Sequence, residues 1–157
     1  MFDPREYRSA LGRFATGVTI VTTCDSAGAP VGVTANSFTS VSLDPPLVLW
    51  SLARTSRSLD AFAQGIGFAI HILGEAQQDL ALRFAARAAD KFSECSWRAG
   101  ANGVPLLDDC LARIECTTTH QHDGGDHVIL LGRVDAFHHG EGAPLVFYAG
   151  QFGRIAA

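Results

Sequence analysis

Small polar side chains are concentrated between Thr34 and Ser42, around the apolar residues Phe38 and Val41. Hydroxyl and amide groups of this kind can hydrogen-bond the carbonyls and ring nitrogens of a flat, polar-edged ring, while apolar neighbours cover its faces. Thr34-Ala35-Asn36-Ser37, at the end of a predicted strand, is therefore a candidate binding segment. The same composition is also typical of an ordinary polar strand end.

A second polar segment, Thr55-Ser56-Arg57-Ser58, precedes a predicted helix from about Ser58 to Gln64. Hydroxyls, free backbone N–H groups and a guanidinium at a helix N-terminus can hold an anion such as phosphate. Simple N-capping by Ser56 or Ser58 would explain the serines equally well. Lys91, in Asp90-Lys91-Phe92, could reach a phosphate too, with the Phe92 ring packed nearby.

Histidines and acids gather around a predicted hairpin turn, Asp123-Gly124-Gly125-Asp126. His120 and His122 lie on one face of the first strand, where paired imidazoles could ligate a metal. The turn glycines instead indicate a flexible polar tip, and neither a His-x-x-x-His pair nor a cysteine supports a metal site. We therefore predict none.

The elements that must position these groups are mostly strands. β-branched and apolar runs, bounded by turn residues, predict them. They cover Val18–Thr23, Val31–Ala35 with its extension Phe38–Val41, Leu47–Leu52, Phe68–Leu73, Leu111–His120, Val128–Phe137 and Leu145–Tyr148. The continuous apolar run Leu47–Leu52 predicts a strand that is covered on both faces.

Two amphipathic helices complete the pattern. The first begins after an Asp3 cap with Pro4 at its first position, and Phe2 and Tyr7 are spaced as a hydrophobic staple. Its apolar stripe through Phe14 predicts packing on the core, and the helix is expected to end at Gly17. The second covers Glu75–Arg87, with Leu80, Phe84 and Ala88 along one side.

This order of elements predicts a mainly β protein. Six or seven strands and three helices, without regular βαβ alternation, favour a β-barrel with flanking helices over a doubly wound sheet. The 157 residues fit one domain, spanning 1–157, that can bury about 68–70% of its unfolded surface.

Composition narrows the function classes. The net charge is −4, with no run of Lys or Arg, so no nucleic-acid surface is expected. Every apolar stretch is far shorter than the roughly 20 residues that cross a bilayer, and the N-terminus does not read as a secretory signal. The four cysteines form no C-x-x-C pair. We expect a cytoplasmic protein with no membrane association, whose cysteines are buried thiols.

One block has a distinctive residue order, from Gly32-Val33-Thr34-Ala35-Asn36-Ser37-Phe38 to Asp44-Pro45-Pro46-Leu47-Val48-Leu49. Shorter segments accompany it in order: Ala15–Thr22, Leu80-Ala81, Phe84-Ala85, Asp90-Lys91-Phe92 and Gly125-Asp126-His127. Together these segments resemble the flavin reductase-like family, whose members have the Greek-key-like FMN-binding split-barrel fold. Many members are the small reductase component of a two-component monooxygenase.

The resemblance implies an NAD(P)H-dependent flavin reductase that binds FMN or FAD, uses NADH or NADPH as co-substrate, and forms a homodimer. It also implies a role for each matching residue. Contacts to the isoalloxazine ring and the ribityl chain are implied for Thr34, Ala35, Asn36 and Ser37, and contacts to the edge of the ring for Ser51, Leu52 and Ala53. The implied phosphate ligands are Ser56, Ser58 and Lys91. Phe92 would pack beside the flavin, and His127 would place the nicotinamide.

Two other functions stay open at this point. One is a flavin- or haem-binding barrel without reductase activity, which would not need Gly125-Asp126-His127. The other is a pyridoxamine-oxidase-like enzyme, although a basic pocket for its phosphate substrate is not evident among 12 Lys and Arg. Since Lys91 is the one firm positive charge near the predicted phosphate, with Arg57 if it turns inward, we expect flavin to come and go as a substrate. Reduced flavin would then diffuse to a separate oxygenase.

Overall fold

A computed structural model describes residues 1–87 and 90–156 and shows a mainly β protein. The helices are α1 (Pro4–Leu11), α2 (Leu59–Gln64) and α3 (Gln78–Ala85), the last preceded by a 3-10 turn at Glu75–Gln77. The strands are β1 (Thr16–Gly17), β2 (Thr19–Cys24), β3 (Pro30–Ala35), β4 (Thr39–Leu43), β5 (Pro46–Ala53), β6 (Gly67–Ile72), β7 (Trp97–Ala99), β8 (Pro105–Leu107), β9 (Ala112–Gly124), β10 (His127–His139), β11 (Val146–Tyr148) and β12 (Gln151–Gly153).

Seven antiparallel strands form the main sheet, in the order β3-β2-β6-β9-β10-β5-β4. The sheet curls until β3 also contacts β5, which gives the barrel predicted from the sequence. Two smaller sheets, β1-β11-β12 and β7-β8, lie outside it. No helix among the described residues has the length and apolar character needed to span a membrane.

The barrel interior is filled by aromatic and branched side chains. Trp50 is fully buried, and its ring meets Phe62 at 4.8 Å and Phe68 at 6.0 Å between centroids, both edge-on. A second apolar cluster, including Ile20, Leu73 and Phe84, lies where α3 packs on the sheet. Phe84 of this second cluster also lines the cavity described below.

The first helix begins as predicted but ends early and covers nothing. Asp3 accepts a hydrogen bond from the Arg5 backbone at 2.7 Å, and the Phe2 and Tyr7 rings stack at 5.8 Å. However, α1 stops at Leu11, and all eight of its residues are exposed. An amphipathic pattern shows which face of a helix is apolar but not what covers that face, so the prediction of core packing was wrong.

The predicted strand count was too low. The prediction did not include β1, β7, β8 and β12. Each of these strands has only two or three residues, which is too few for an alternating pattern to be recognised. In β5, Val48, Trp50 and Leu52 are buried while Leu47, Leu49 and Ser51 are half-exposed. The prediction that both faces of this strand are covered therefore fails within the single chain.

The second predicted helix is shorter than expected. Its first turn is a 3-10 turn, and the α-helix ends at Ala85 rather than Arg87. Ala81 and Phe84 are the residues that it buries, and the predicted contact at Ala88 lies outside the described residues. Because α3 ends early, Arg87 lies beyond the helix, and it lines the cavity described below.

A buried histidine connects three strands. His71 on β6 is fully buried; its Nδ1 lies 3.0 Å from the Ile20 carbonyl oxygen, and the Leu107 backbone N–H donates to its Nε2 at 3.0 Å. This geometry requires a neutral ring with its proton on Nδ1. Burial, the main cause, lowers the pKa of His71 to about 4.

We predict that His71 makes the fold sensitive to acid. Because its pKa is lowered on folding, the unfolded chain takes up the proton first as pH falls below about 6.5, and stability is lost on the way to the folded pKa. From these two pKa values, the free energy of unfolding should be about 2 kcal/mol lower at pH 5 than at pH 7.5.

Urea unfolding of the protein and of the His71→Gln variant, at both pH values, measures this effect. The variant should lose most of the pH dependence while the exposed-site control, His139→Ala, keeps it. An identical pH dependence in all three proteins would show that other groups cause the acid sensitivity.

Candidate functional site

The candidate site is a cavity of about 450 Å³ between β3, the end of β5, the start of α2 and the end of α3. Its volume lies within the usual range for small-molecule sites. The lining residues are Val33, Thr34, Leu52, Ala53, Thr55, Ser56, Arg57, Ser58, Phe84, Ala85, Ala86, Arg87 and Lys91.

The structure brings six of the sequence-predicted site residues together on this wall: Thr34, Leu52, Ala53, Ser56, Ser58 and Lys91. Of the other six, Phe92 borders an adjacent cavity of about 310 Å³ that also has Ser58 and Lys91 on its wall. Ala35, Asn36, Ser37, Ser51 and His127 lie on the strands and turns next to the first cavity, as described below.

Two of the predicted hydroxyl groups brace the backbone. The Ser37 hydroxyl donates to the Ser51 carbonyl at 3.0 Å and accepts from the Ser51 N–H at 2.9 Å, which fixes β5 beside the cavity. The Thr34 hydroxyl donates to the Ala81 carbonyl at 2.6 Å and so ties β3 to α3. Ala35 accepts a similar bond from Thr19, whereas Asn36 is exposed.

Lys91 lies on the wall as predicted, and it also holds the wall together. Its ammonium group donates to the Phe84 carbonyl at 2.7 Å and to the Gly32 carbonyl at 3.1 Å. An ammonium group has three donors, so one remains for a ligand. Burial lowers the pKa of Lys91 from its ordinary value.

The loop that carries Lys91 is fixed on both sides. The Asp90 carboxylate accepts hydrogen bonds from the Phe92 and Ser93 backbones at 3.1 and 3.0 Å. The Phe92 ring packs edge-on against Phe84, with centroids 5.0 Å apart. Phe92 is buried in this contact, so it supports the wall.

Sequence reasoning missed Arg87. It lines the cavity together with Arg57 and Lys91, and the described lining residues include no acidic one. The available signal was its position four residues before Lys91, at the end of a helix that faces the site. Three cations on one wall suit an anionic group such as a phosphate.

This charge pattern corrects two inferences from the sequence. A basic pocket for a phosphate is present, so scarcity of Lys and Arg is no argument against a pyridoxamine-type oxidase. The count of one firm positive charge, used to argue for weak flavin retention, was also too low, because both Arg57 and Arg87 face the cavity.

His127 lies one strand away from the cavity wall. It pairs across the ladder with Ala53, and its Nδ1 is 2.7 Å from the Asp126 carboxylate. This hydrogen bond lowers the pKa of Asp126. With 45% of its side chain accessible, the imidazole can meet a ligand that extends past Ala53.

Arg54 fixes the hairpin turn before His127. Its guanidinium donates to the Gly125 carbonyl and to the Asp123 carboxylate, both at 2.8 Å, and its N–H donates to the Asp126 carbonyl at 2.9 Å. The bond from Arg54 is the main cause of a lowered pKa at Asp123. The turn is thus held to the end of β5, contrary to the flexible tip predicted from its glycines.

The remaining candidate ligands form no recognisable centre. Within residues 1–87 and 90–156, no three His, Cys, Asp or Glu side chains are grouped so that they could hold a metal ion. All four cysteines are free, but only Cys116 is buried; Cys24, Cys95 and Cys110 are partly exposed, so the expectation of buried thiols is confirmed for Cys116 alone. Burial raises the pKa of Cys110 to about 11 and of Cys116 to about 12.

The donor set fits a flavin. Val33, Leu52 and Phe84 supply apolar surface, Ser56 and Ser58 supply hydroxyl groups, and the cations Arg57, Arg87 and Lys91 line the same cavity. A flat apolar ring with a phosphorylated tail requires this combination of groups.

Comparison with known proteins agrees with this chemistry. The FMN reductase (NADH) SmoA of Agrobacterium fabrum (strain C58 / ATCC 33970) is 47% identical over 154 residues, covering 98% of this chain and 87% of that protein. The "Probable flavin reductase" of Rhizobium meliloti (strain 1021) is 50% identical over 137 residues, but this chain spans only 44% of its length.

A solved structure has the same fold. The NADH:FAD oxidoreductase SgcE6 of Streptomyces globisporus C-1027, in complex with NAD and FAD fragments, superposes with a TM-score of 0.91 at 37% identity. The match covers 99% of this chain and 96% of that one. It confirms the predicted split barrel.

The model of the flavin reductase like domain matches residues 11–156. This range contains every site residue named above. The chain therefore belongs to the flavin reductase-like family, as its motifs predict.

Proposed function

We propose that this protein is an NAD(P)H-dependent flavin reductase that supplies reduced FMN or FAD to a separate monooxygenase. The observation that carries the proposal is one cavity lined by apolar side chains, such as Leu52 and Phe84, together with the cations Arg57, Arg87 and Lys91, one strand away from His127. The SmoA relative is named an FMN reductase that uses NADH, which is the same chemistry.

Each group of residues at the cavity has a proposed role. Leu52, Ala53 and the backbone at Ser51 contact the edge of the flavin ring. Thr34 to Ser37 hold in place the strand ends that contact the ring and the ribityl chain. Ser56, Ser58 and Lys91 hold the phosphate, joined by Arg57 and Arg87. Phe92 keeps this wall in place from behind.

Little further chemistry is needed from the protein. Hydride would pass from the nicotinamide to the flavin once the two rings were stacked, so positioning would supply most of the rate acceleration. His127 pairs with Ala53 at the edge of the cavity, and its bond to Asp126 orients the imidazole. We assign His127 to placing the nicotinamide.

Use of the flavin as a substrate fits the exposed side of the cavity. Thr55, Arg57, Ala86 and Arg87 on its wall are all exposed, so a ligand can enter and leave without any part of the fold opening. A relative from Rhodococcus jostii (strain RHA1), 45% identical, is named the reductase subunit HsaB of a flavin-dependent monooxygenase. A separate oxygenase partner and a cytoplasmic location follow from this proposal.

We also propose a homodimer. An apolar groove of about 560 Å³ runs along β4, β5, β9 and β10, and Leu43 and Phe137 on its wall are 94% and 74% exposed. Exposed apolar surface of this kind marks an interface in many proteins. Sedimentation should show a dimer at micromolar concentration, whereas a fully active monomer would contradict it.

Steady-state oxidation of NADH and NADPH, with FMN, FAD, riboflavin or no added flavin, tests the proposed function. Rapid oxidation should require an added flavin. If flavins bind but neither nicotinamide is oxidised, the protein is a flavin carrier or sensor. Oxidation of pyridoxamine 5′-phosphate in the absence of NAD(P)H turnover would favour the oxidase alternative.

Replacing Lys91 by Ala should weaken FMN binding about 10- to 150-fold, because a charge-assisted hydrogen bond worth roughly 1.5–3 kcal/mol is lost. Riboflavin, which lacks the phosphate, should lose less affinity. Fluorescence titration with both flavins measures the difference. Arg83→Ala is the matched control, since Arg83 is a cation on α3 that pairs with Glu94. An equal loss of affinity for FMN and riboflavin would show that Lys91 supports the cavity wall and does not bind the phosphate.

His127→Ala should lower kcat/KM for NADH by roughly 10- to 100-fold, equivalent to about 1.4–2.7 kcal/mol of transition-state stabilisation. The dissociation constant of FMN should stay near the wild-type value, because His127 lies outside the phosphate end of the cavity. His139→Ala, at the opposite end of β10, controls for removal of an exposed imidazole. If flavin binding and turnover fall together, His127 holds the flavin instead.

A further inference from the structure

A second cavity, of about 490 Å³, lies between the β7–β8 hairpin, the start of β9 and the end of β10. It shares no lining residue with the cavity assigned to the flavin. His138 on its wall lies at one end of β10, whereas His127 lies at the other end. Four charged side chains also line it: Arg98, Asp108, Asp109 and Arg113. The proposed reductase function gives this cavity no role.

The strand register places the cavity on the outer face of the barrel. Arg113 on β9 pairs directly with His138 on β10. Ile114, the next residue, packs against the barrel core, so Arg113 and Glu115 face outward. The β7–β8 hairpin covers this outer face, because a Cβ added at Gly100 would lie only 2.8 Å from the Glu115 carboxylate.

Arg113 is mostly buried on this wall but poorly satisfied. Only 16% of its side chain is exposed, and its Nε is buried with no hydrogen-bond partner among the described residues. The nearest acid, Glu115, lies 3.5 Å from Nε, beyond the roughly 2.7–3.2 Å of an N–H···O bond. A guanidinium has five donors, and buried polar groups in native proteins are generally hydrogen-bonded. Arg113 therefore has donors to offer a ligand in the cavity.

The acids on the wall limit which anion fits. The Asp108 carboxylate accepts a hydrogen bond from the Ser96 hydroxyl at 2.7 Å, and Asp109 is exposed beside it. These two negative charges balance those of Arg98 and Arg113. A doubly charged phosphate would be repelled by the acids, whereas one carboxylate matches the planar fork of one guanidinium.

We propose that this cavity binds a small monocarboxylate, whose carboxylate group pairs with Arg113. Arg98 provides a second cation from β7, and Asp109 can accept a hydrogen bond from a hydroxyl group of the ligand. A small hydroxy acid therefore fits best, and the volume lies within the usual range for small-molecule sites. The inference goes beyond the proposed function and does not depend on it, because the two cavities are separate.

Calorimetric titration with lactate, acetate and inorganic phosphate tests the site, with and without saturating FMN. The central variant combines Arg113→Gln with Glu115→Gln, which removes both charges and so leaves no buried charge unpaired. Glu115→Gln alone keeps the guanidinium and removes only its neighbouring acid. Arg133→Gln is the matched control, because Arg133 is a half-exposed arginine that pairs with Asp135 away from the cavity. Thermal unfolding shows whether each variant is folded.

The wild-type protein should bind lactate more tightly than acetate, and phosphate most weakly. The double variant should bind lactate about 10- to 150-fold more weakly, as expected for the loss of a charge-assisted hydrogen bond. Glu115→Gln should bind lactate at least as tightly as the wild type, because a competing negative charge is removed. Neither Arg133→Gln nor FMN should change the affinity.

Arg113→Lys provides the test if the double variant does not fold. It keeps the charge but loses the planar fork, so it should bind lactate more weakly than the wild type. An unchanged affinity in this variant would count against the inference.

Four further results would overturn it. The wild type could show no saturable binding of either carboxylate, which would leave Arg113 to water. Phosphate could bind more tightly than lactate, or the folded double variant could keep the wild-type affinity. Finally, the double variant could sediment as a monomer where the wild type is a dimer, which would show that Arg113 pairs with a carboxylate of a second copy of the chain.

Discussion

The antiparallel pairing of β5 with β10 is the constraint on which the candidate site depends. Its register sets Ala53 opposite His127, so one strand supplies the cavity wall and the next supplies the residue assigned to the nicotinamide. A slip of one residue would turn every side chain to the opposite face. The three hydrogen bonds from Arg54 to the β9–β10 hairpin fix this register at its end.

The wall of the cavity is held by polar side chains that bond to backbone carbonyls. Thr34 reaches α3, Ser37 clamps β5, and Lys91 joins the end of α3 to β3. Buried polar groups are costly unless they are paired, so these bonds also keep each residue in one position. Residues typical of flavin binding therefore act as structural braces in this chain. Each has a backbone role, and Lys91 is the one for which we propose a ligand role as well.

Sequence reasoning was most successful where a pattern is long or a motif is dense. The β-branched segment of β2, the Asp123–Asp126 hairpin and the Thr34 to Leu49 block predicted the barrel, and the family resemblance implied six of the residues that line the cavity. It failed where the outcome depends on distant contacts. The apolar stripe of α1 does not indicate which residues pack against it. Arg87, which lines the cavity, follows the end of α3 at Ala85, and the sequence predicted a longer helix. The bond from the Ser37 hydroxyl to Ser51 likewise depends on two segments that meet only in the folded chain.

In the proposed function, electrons leave this protein on a flavin that dissociates. The most direct measurement is to reduce the protein and an equal amount of FMN with NADH under anaerobic conditions, remove the protein by filtration, and assay the filtrate for reduced flavin. We expect reduced FMN to appear in the filtrate in step with the NADH consumed. Flavin that stays with the protein through repeated turnover and filtration would identify a fixed-cofactor enzyme and contradict it.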